Sequence, residues 1–375
     1  MTRLQISTDV ENISNVTDQR VLVNRSVQHA LERVYQFHDF PYYIQDKGVI
    51  ETVATYETGT VNVTNGSTAL TFSGSTLTSG MAGRKIRFSG GIPYYRILSV
   101  DTGAGTAVLE NNYQGTSDTV ATFTIYKDEY RLASDVDKYK TLRQLQNSVV
   151  LSDTTPTNFD ELYPMPNSYS DPIRSIMVGT KLDTYTTGTV SATVATKTIT
   201  GASTLWTSVE GLGRMSNLRI GNDVYTIKSV GSATSITIYE DVVTTVSAGT
   251  AYEITLNNLV VQLYNIPNSA RLLYYRYFRL PALLANDYDI PDMPLSWHWI
   301  LMYGALSIVL MHKGDVQKAQ QEAETRFIDG LSMMKLKIGS FAPDRIYKRK
   351  SIDRVGGRRL GGLEESAFDR RYSMP

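Results

Sequence analysis

The side chains best suited to chemistry are few, and their spacing is uninformative for catalysis. Four histidines are present, His29, His38, His298 and His312, and none stands in an H-E-x-x-H or other metal-ligand spacing. His29 and His38, nine residues apart, fall near opposite sides of a helix, so all four are read as structural. The absence of cysteine excludes a thiol nucleophile, a disulfide framework and a thiolate zinc site. The sequence has no G-x-x-x-x-G-K-[ST] phosphate loop and no G-x-S-x-G nucleophile elbow. Gly103-Ala104-Gly105 reads as a hairpin turn. The strongest cluster is Asp287-Tyr288-Asp289-Ile290-Pro291-Asp292, where three carboxylates could serve a hard cation. Pro291 and Pro294 instead make it a stiff lead into a helix, with Asp292 and Ser296 expected to satisfy free amides at the helix start. No catalytic, cofactor-binding or metal-ligating residue is assigned, and the chain is read as a non-enzyme.

The 375 residues are 42% hydrophobic and 20% charged, with 37 basic and 37 acidic side chains, which is enough for a buried core in two or three units. Zero net charge argues against a protein whose main task is gripping nucleic acid, because phosphate contacts demand a basic surplus. Met1 to Asn15 lacks the charged-then-apolar layout of a signal peptide, so the chain is expected to stay where it is made. Trp297 to Met311 is the most apolar stretch. Its length of roughly 22 Å as a helix, against about 30 Å of hydrocarbon, favours a core helix over a membrane span.

An internal repeat organises the chain. Thr58-Gly59-Thr60-Val61-Asn62-Val63 recurs as Thr187-Gly188-Thr189-Val190-Ser191-Ala192, Tyr95 to Val100 matches Tyr225 to Val230, and Phe123-Thr124-Ile125 matches Tyr252-Glu253-Ile254. Val61 and Val63, Leu70 and Phe72, Ile86 and Phe88 each sit two apart, the strand period. Asn65-Gly66 predicts a type I′ hairpin, and Ile236-Thr237-Ile238 another strand after Gly231-Ser232. Each copy is therefore expected to be a small antiparallel barrel or sandwich.

Outside the repeats, Val21, Val27, Leu31 and Val34 or Tyr35 predict a helix over Val21 to Phe37, stopped by Pro41. A second helical stretch is expected around Tyr139 to Leu145, and a short one capped by Thr157. Leu259 to Tyr264 reads as a strand paired with Arg271 to Tyr277 across Pro267-Asn268. A helix from Leu295 closes at Lys313-Gly314. Asp315 then caps a second, on which Ala319, Ala323, Phe327, Leu331 and Met334 recur at helical spacing. So short a connection makes an αα-hairpin, in which Gly304 and Ala305 face Ala319 and Ala323. The last segment, Pro343 to Pro375, is basic and glycine-broken; it could contact DNA phosphates or keep a tail solvated, and is read as an arm that docks on a protein partner. The 24 tyrosines favour interfaces.

The order of these non-repeat motifs resembles the head-to-tail adaptor (neck, connector) proteins of tailed bacteriophages. The likeness is carried by Asp39-Phe40-Pro41, the Pro166 to Met177 lead, Tyr264-Asn265-Ile266-Pro267-Asn268-Ser269-Ala270, Tyr274-Tyr275-Arg276-Tyr277, and Leu283-Leu284. It continues through Asp287 to Pro294, Trp299 to Leu306, Gly314-Asp315 and Phe327-Ile328-Asp329-Gly330-Leu331. The resemblance implies an α+β fold: a discontinuous helical adaptor core (1–57, 128–186 and 255–342) with an αα-hairpin and a small antiparallel sheet. Two all-β insertions (58–127 and 187–254) interrupt it, and an arm (343–375) follows. It also implies a homo-oligomeric ring of twelve copies in the virion neck, assembled in the host cytoplasm. That ring would join the portal protein to a tail tube, nozzle or stopper, with DNA passing through without sequence-specific binding. Trp299, Tyr303, Ala305, Ile308, Ala319, Ala323, Phe327 and Leu331 would form the ring wall. Arg345, Tyr347, Lys348, Arg349, Lys350, Arg354, Arg358, Arg359, Arg370, Arg371 and Tyr372 would dock on the portal. No cofactor and no membrane are implied. The β insertions could hold tail fibres. The alternative is a tail or fibre-attachment protein whose β modules bind a tail component or a host glycan, with Tyr94, Tyr95, Trp206 and Tyr225 stacking on sugar.

Overall fold

The computed structural model describes residues 1–338 except 17–18, 89–93, 145–148, 164–172 and 174. Helices α1 (Arg3–Ser14) and α2 (Arg20–Phe37) and strand β1 (Ile44–Glu51) lead into the first repeat. It comprises β2 (Thr60–Val63), β3 (Ala69–Ser73), β4 (Lys85–Phe88), β5 (Tyr95–Asp101), β6 (Thr106–Leu109), β7 (Asp118–Ala121) and β8 (Phe123–Tyr126). Next come β9 (Glu129–Arg131), β10 (Val136–Gln144), β11 (Val149–Val150), β12 (Ser152–Thr154), α3 (Pro156–Leu162) and the long β13 (Ser175–Tyr185). The second repeat is β14 (Thr189–Ala192), β15 (Thr198–Ala202), β16 (Asn217–Ile220), β17 (Asp223–Ser232), β18 (Ser235–Ile238), β19 (Val246–Thr250) and the start of β20 (Glu253–Tyr264). Strand β21 (Leu272–Arg279), α4 (His298–Lys313), α5 (Val316–Lys318), a π-helical stretch (Ala319–Glu324) and α6 (Thr325–Ile338) complete the described chain.

Strand accounts for 37% of the protein and helix for 28%, so the expected α+β fold with a helical adaptor core is wrong. The protein is mostly β, built from large antiparallel sheets and a half-barrel, with α1, α2, α4 and α6 gathered in one layer and the short α3 beside β13. Much of what was assigned to the helical core is strand. Val136–Gln144, where a helix was expected from Tyr139, pairs along β21 and alternates buried Leu142 and Gln144 with exposed Arg143. A few apolar residues fit either period, and the neighbouring tyrosine-rich strand decides between them. Leu145 and most of Pro166 to Met177 lie outside the described residues.

The two repeats have the same topology. The first runs β7-β2-β3-β6-β5-β4-β8 and the second β19-β14-β15-β18-β17-β16-β20. Their bulges coincide: β5 slips register after Ile97 and β17 after Ile227, while β2 slips after Val61 and β14 after Val190. Each bulge bends its strand, allowing β5 and β17 to change partners as the sheet curls. Loop hydrogen bonds fix the equivalence residue by residue. Glu110 N donates to Arg96 O as Tyr239 N does to Thr226 O, and Ile97 N donates to Arg84 O as Ile227 N does to Ser216 O. Val61, Val63, Leu70, Phe72, Ile86 and Phe88 all enter the first core, as the alternation predicts. The Asn65-Gly66 turn is not type I′. Of its two central residues Gly66 alone has positive φ, and Ser67 N closes the turn on Thr64 O.

The second copy is not a closed-off insertion, because β20 runs on past it. One edge of β20 pairs with β13 from Ile254 to Tyr264, and the other pairs with β16 and then β9, giving a ten-stranded sheet. With both edges filled, β20 has no place for β21. The predicted hairpin across Pro267-Asn268 therefore does not form, and β21 pairs with β1 and β10 instead.

The four-stranded sheet β1-β21-β10-β11 is the middle layer. Leu273, Tyr275 and Tyr277 of β21 pack into one core with Val261 and Leu263 of β20, while Phe278 packs into another among the helices. That helical core unites both ends of the described chain: Ile6 and Val10, then Val23, Val27, Ala30, Leu31 and Val34, against α4 to α6. The buried stripe of α2 runs through Val23, whereas Val21 is exposed. Helix α1 was missed from sequence. Its signal is a capping box in which Thr2 Oγ1 accepts from Gln5 N at 3.3 Å and Gln5 Oε1 accepts from Thr2 N at 2.9 Å. The cap of α3 is Thr155, two residues before the expected one.

Candidate functional site

The helical layer carries the candidate interaction face, and a tight hairpin builds it. Helix α4 ends at Gly314, whose φ of 88° is a left-handed cap that sends its N–H back to Leu310 and Met311. Asp315 follows but makes no side-chain cap, contrary to expectation. Two glycines set the spacing of the helices. A Cβ on Gly304 would lie 2.7 Å from the Phe327 ring and 3.0 Å from Ala30, and one on Gly330 would lie 2.7 Å from Trp299. The π-helical stretch ends at Glu324, which accepts 2.9 Å from Ser307 Oγ and pairs with the Arg33 guanidinium of α2. Burial pushes the Glu324 carboxyl up, but the bonds from Arg33 and Ser307 and the Arg33 charge leave it below its ordinary value.

On the outer side of this hairpin, Trp299, Met302, Tyr303, Arg326, Asp329 and Met333 line a shallow depression between α4 and α6. Arg326 Nη1 donates to Tyr303 Oη at 2.7 Å, with its guanidinium 5.2 Å over the tyrosine ring. Trp299 meets Tyr303 edge-on at 6.0 Å. Also on α6, Ile328, Met333 and Leu336 are exposed, the last by 74%. Aromatic, methionine and arginine side chains around a small acidic contribution are the composition of a protein contact surface. The arrangement can bind, and it places no nucleophile beside a base.

The predicted ring-wall residues divide between this face and the core. Ala305, Ala319, Ala323, Phe327 and Leu331 are buried inside the helical layer, Ile308 is half-buried, and Trp299 and Tyr303 reach the surface. Met302, Arg326, Asp329 and Met333 were missed because they lie off the buried stripe, where helical periodicity says nothing. Overpacking tests the hairpin itself: Ala323→Leu is expected to cost about 1–3 kcal/mol, read as a lowered midpoint in denaturant. Arg345, Tyr347, Lys348, Arg349, Lys350, Arg354, Arg358, Arg359, Arg370, Arg371 and Tyr372 lie outside the described residues.

The length argument against a membrane span also changes. Leu295–Lys313 forms 19 helical residues of mean hydropathy 1.2, enough by length and composition to cross a bilayer, and half of that window is buried within the protein. Contacts with α1, α2 and α6 account for that burial.

The remaining candidates turn inward. Asp287 pairs with Arg3 at 2.7 Å, Asp289 accepts from Asn286 N at 2.7 Å, and Asp292 accepts from Ala282 N at 2.9 Å. Asp292 also lies 3.4 Å from both Arg214 and Arg279, so it anchors charge between layers and does not cap the helix as expected. No group of three or more potential metal ligands occurs among the described residues. His298 is buried, with Nε2 2.9 Å from Met293 O and Nδ1 3.0 Å from the Met1 amine. Nδ1 lies 3.0 Å from Met1 O as well, so the ring ties Met1 to α4. Of the four aromatic residues considered for sugar stacking, Tyr95, Trp206 and Tyr225 are core side chains, and Tyr94 is open to solvent. No family model and no curated protein matches the chain.

Proposed function

We propose that this protein is a non-enzymatic virion subunit of a tailed bacteriophage. It forms a ring of twelve copies that joins the capsid portal to the tail and lines the DNA exit conduit. The observation that carries the reading is the aromatic and apolar face of α4 and α6, exposed on the layer that gathers both ends of the described chain. Exposed Ile328, Met333 and Leu336 beside half-buried Trp299, Met302 and Tyr303 support an association surface here. The motif order given above supplies the family expectation. In this reading the basic segment 343–375 engages the portal, a tail tube, nozzle or stopper protein binds the opposite side, and the ring sits in the neck after assembly in the host cytoplasm. A neutral chain suits a conduit, since each neutralised phosphate would add affinity and slow DNA passage.

Co-expression with the portal protein of the same phage, followed by electron microscopy, tests it. A twelve-fold ring added to one end of the portal is the expected image. Met333→Glu, at a half-exposed position, should leave the monomer folded and abolish the ring. Two folded proteins that stay apart would overturn the proposal.

A further inference from the structure

The internal repeat has an asymmetry with chemical content. In the second copy, the surface around β17 and β18 is occupied by the chain itself. Tyr239 Oη accepts from Arg214 Nε at 2.8 Å, its carbonyl accepts from Asn286 Nδ2 at 3.4 Å, and Lys197 bonds Asn286. The equivalent surface of the first copy opens on a cleft of about 380 Å³ facing β9, β13 and β20, within the size range of small-ligand sites.

Six cations line that cleft, Arg84, Lys85, Arg96, Lys127, Arg131 and Lys181, against five carboxylates, Glu110, Asp128, Glu129, Asp183 and Glu210. Each carboxylate has a cation: Asp128 and Glu129 share Lys85 at 2.9 and 2.8 Å, Glu129 also takes Lys181, Asp183 takes Arg131, Glu210 takes Lys127, and Glu110 takes Arg96 at 4.0 Å. Arg84 is the cation left over. Its Nε donates to Gly80 O at 2.8 Å, and among the described residues its guanidinium has no carboxylate partner. Burial without a counter-charge pushes its pKa down.

At the rim, Tyr94 is 48% exposed, and the Lys85 ammonium lies 4.6 Å from the centre of its ring. Beside it stand the exposed side chains of Asn111, Asn112 and Gln114. Two backbone donors there are already used, as Glu110 N donates to Arg96 O and Gln114 N to Tyr95 Oη. Gln114 Nε2 donates to Asn112 O at 3.3 Å, so the recognition atoms on offer are Gln114 Oε1 and the side-chain amides of Asn111 and Asn112, each amide both donor and acceptor. They match a hydroxyl-rich ligand better than a peptide strand seeking main-chain partners. At the equivalent positions the second copy has Ser216 for Arg84, Val224 for Tyr94, Glu240 for Asn111 and Asp241 for Asn112.

We propose that the first repeat binds an acidic oligosaccharide in this cleft, with a pyranose face on Tyr94, ring hydroxyls at Asn111, Asn112 and Gln114, and a carboxylate on Arg84. The site is built within one copy of the chain and does not depend on ring formation. Isothermal titration calorimetry of the full chain against hexagalacturonate, a hyaluronate hexasaccharide and an α2,8-linked tetrasialate tests it, with neutral maltohexaose and a hexaglutamate peptide as controls. Saturable binding of at least one acidic saccharide and of neither control is expected. Arg84→Gln, which removes the forked charge, and Tyr94→Ala should each weaken that binding by about tenfold or more, while Val224→Ala in the second copy should not change it. Circular dichroism on each variant confirms that the fold is intact. Failure of all three acidic saccharides to bind, equal binding of maltohexaose or hexaglutamate, or unchanged affinity in both folded first-repeat variants would overturn the proposal.

Discussion

Lys85→Met is expected to destabilise the protein by about 3–5 kcal/mol, the usual cost of removing one partner from a buried ion pair. Lys85 is the hub that fastens the first repeat to the body. Its side chain is 11% exposed, and it reaches Asp128 at 2.9 Å, 2% exposed, and Glu129 at 2.8 Å. Methionine fills similar space but leaves Asp128 with the Gln262 amide at 3.2 Å as its remaining side-chain donor among the described residues. Breaking the pair is costly because the carboxylate stays buried after its counter-charge has gone. Urea denaturation at neutral pH measures the loss, and a change below about 1 kcal/mol would show the network to be solvated like a surface pair.

The same hub sets part of the acid limb of stability. Burial raises the Glu129 carboxyl, but the bonds and charges of Lys85 and Lys181 outweigh it and hold the group below its ordinary 4.5. A depressed carboxylate stabilises the folded state above its unfolded value, and that contribution is lost as pH falls through the folded value. Glu324, held down by Arg33 and Ser307, works in the same sense. Stability should therefore decline as pH drops below about 4.5, and the decline should be shallower in Lys85→Met, where Glu129 keeps Lys181 as its remaining cation.

Phe327→Ala is the second large effect, at about 3–5 kcal/mol. Phe327 is fully buried among α2, α4 and α6, its ring against the Gly304 backbone and 4.4 Å under the Arg33 guanidinium. The cavity cannot close by a simple shift, because Gly304 has no side chain to move into it. Truncation also strips the packing that helps hold Arg33 on Glu324, so the loss should exceed that of Leu331→Ala, at the next position of the buried stripe. A guanidinium chloride midpoint compared between the two variants checks the order. Near-equal values would mean that the hairpin relaxes freely around Phe327.

Local pattern was enough to read the repeat and the hairpin. Thr58 to Val63 and Thr187 to Ala192, with strand-period pairs such as Leu70 and Phe72, disclosed two copies of one β unit. Gly314, together with Ala319, Ala323, Phe327 and Leu331 at helical spacing, disclosed two antiparallel helices. Period and turn chemistry are local, and a single segment carries them. What surrounds each segment is not local, and there the reading failed. Val136–Gln144 became a strand because β21 lay beside it, and β21 left β20 because β13, β16 and β9 had taken both edges. Asp292 turned from a helix start to Arg214, on the turn before β16, and Arg279, at the end of β21, each 3.4 Å away. The tertiary structure also decided which surfaces stay open. Tyr95, Trp206 and Tyr225 vanish into cores while Tyr94 faces solvent, since one residue along a strand reverses the side chain. The repeat was legible because pattern survives in one dimension. The interaction face and the cleft were not, because each is assembled from elements that meet only when hydrophobic layers close in three.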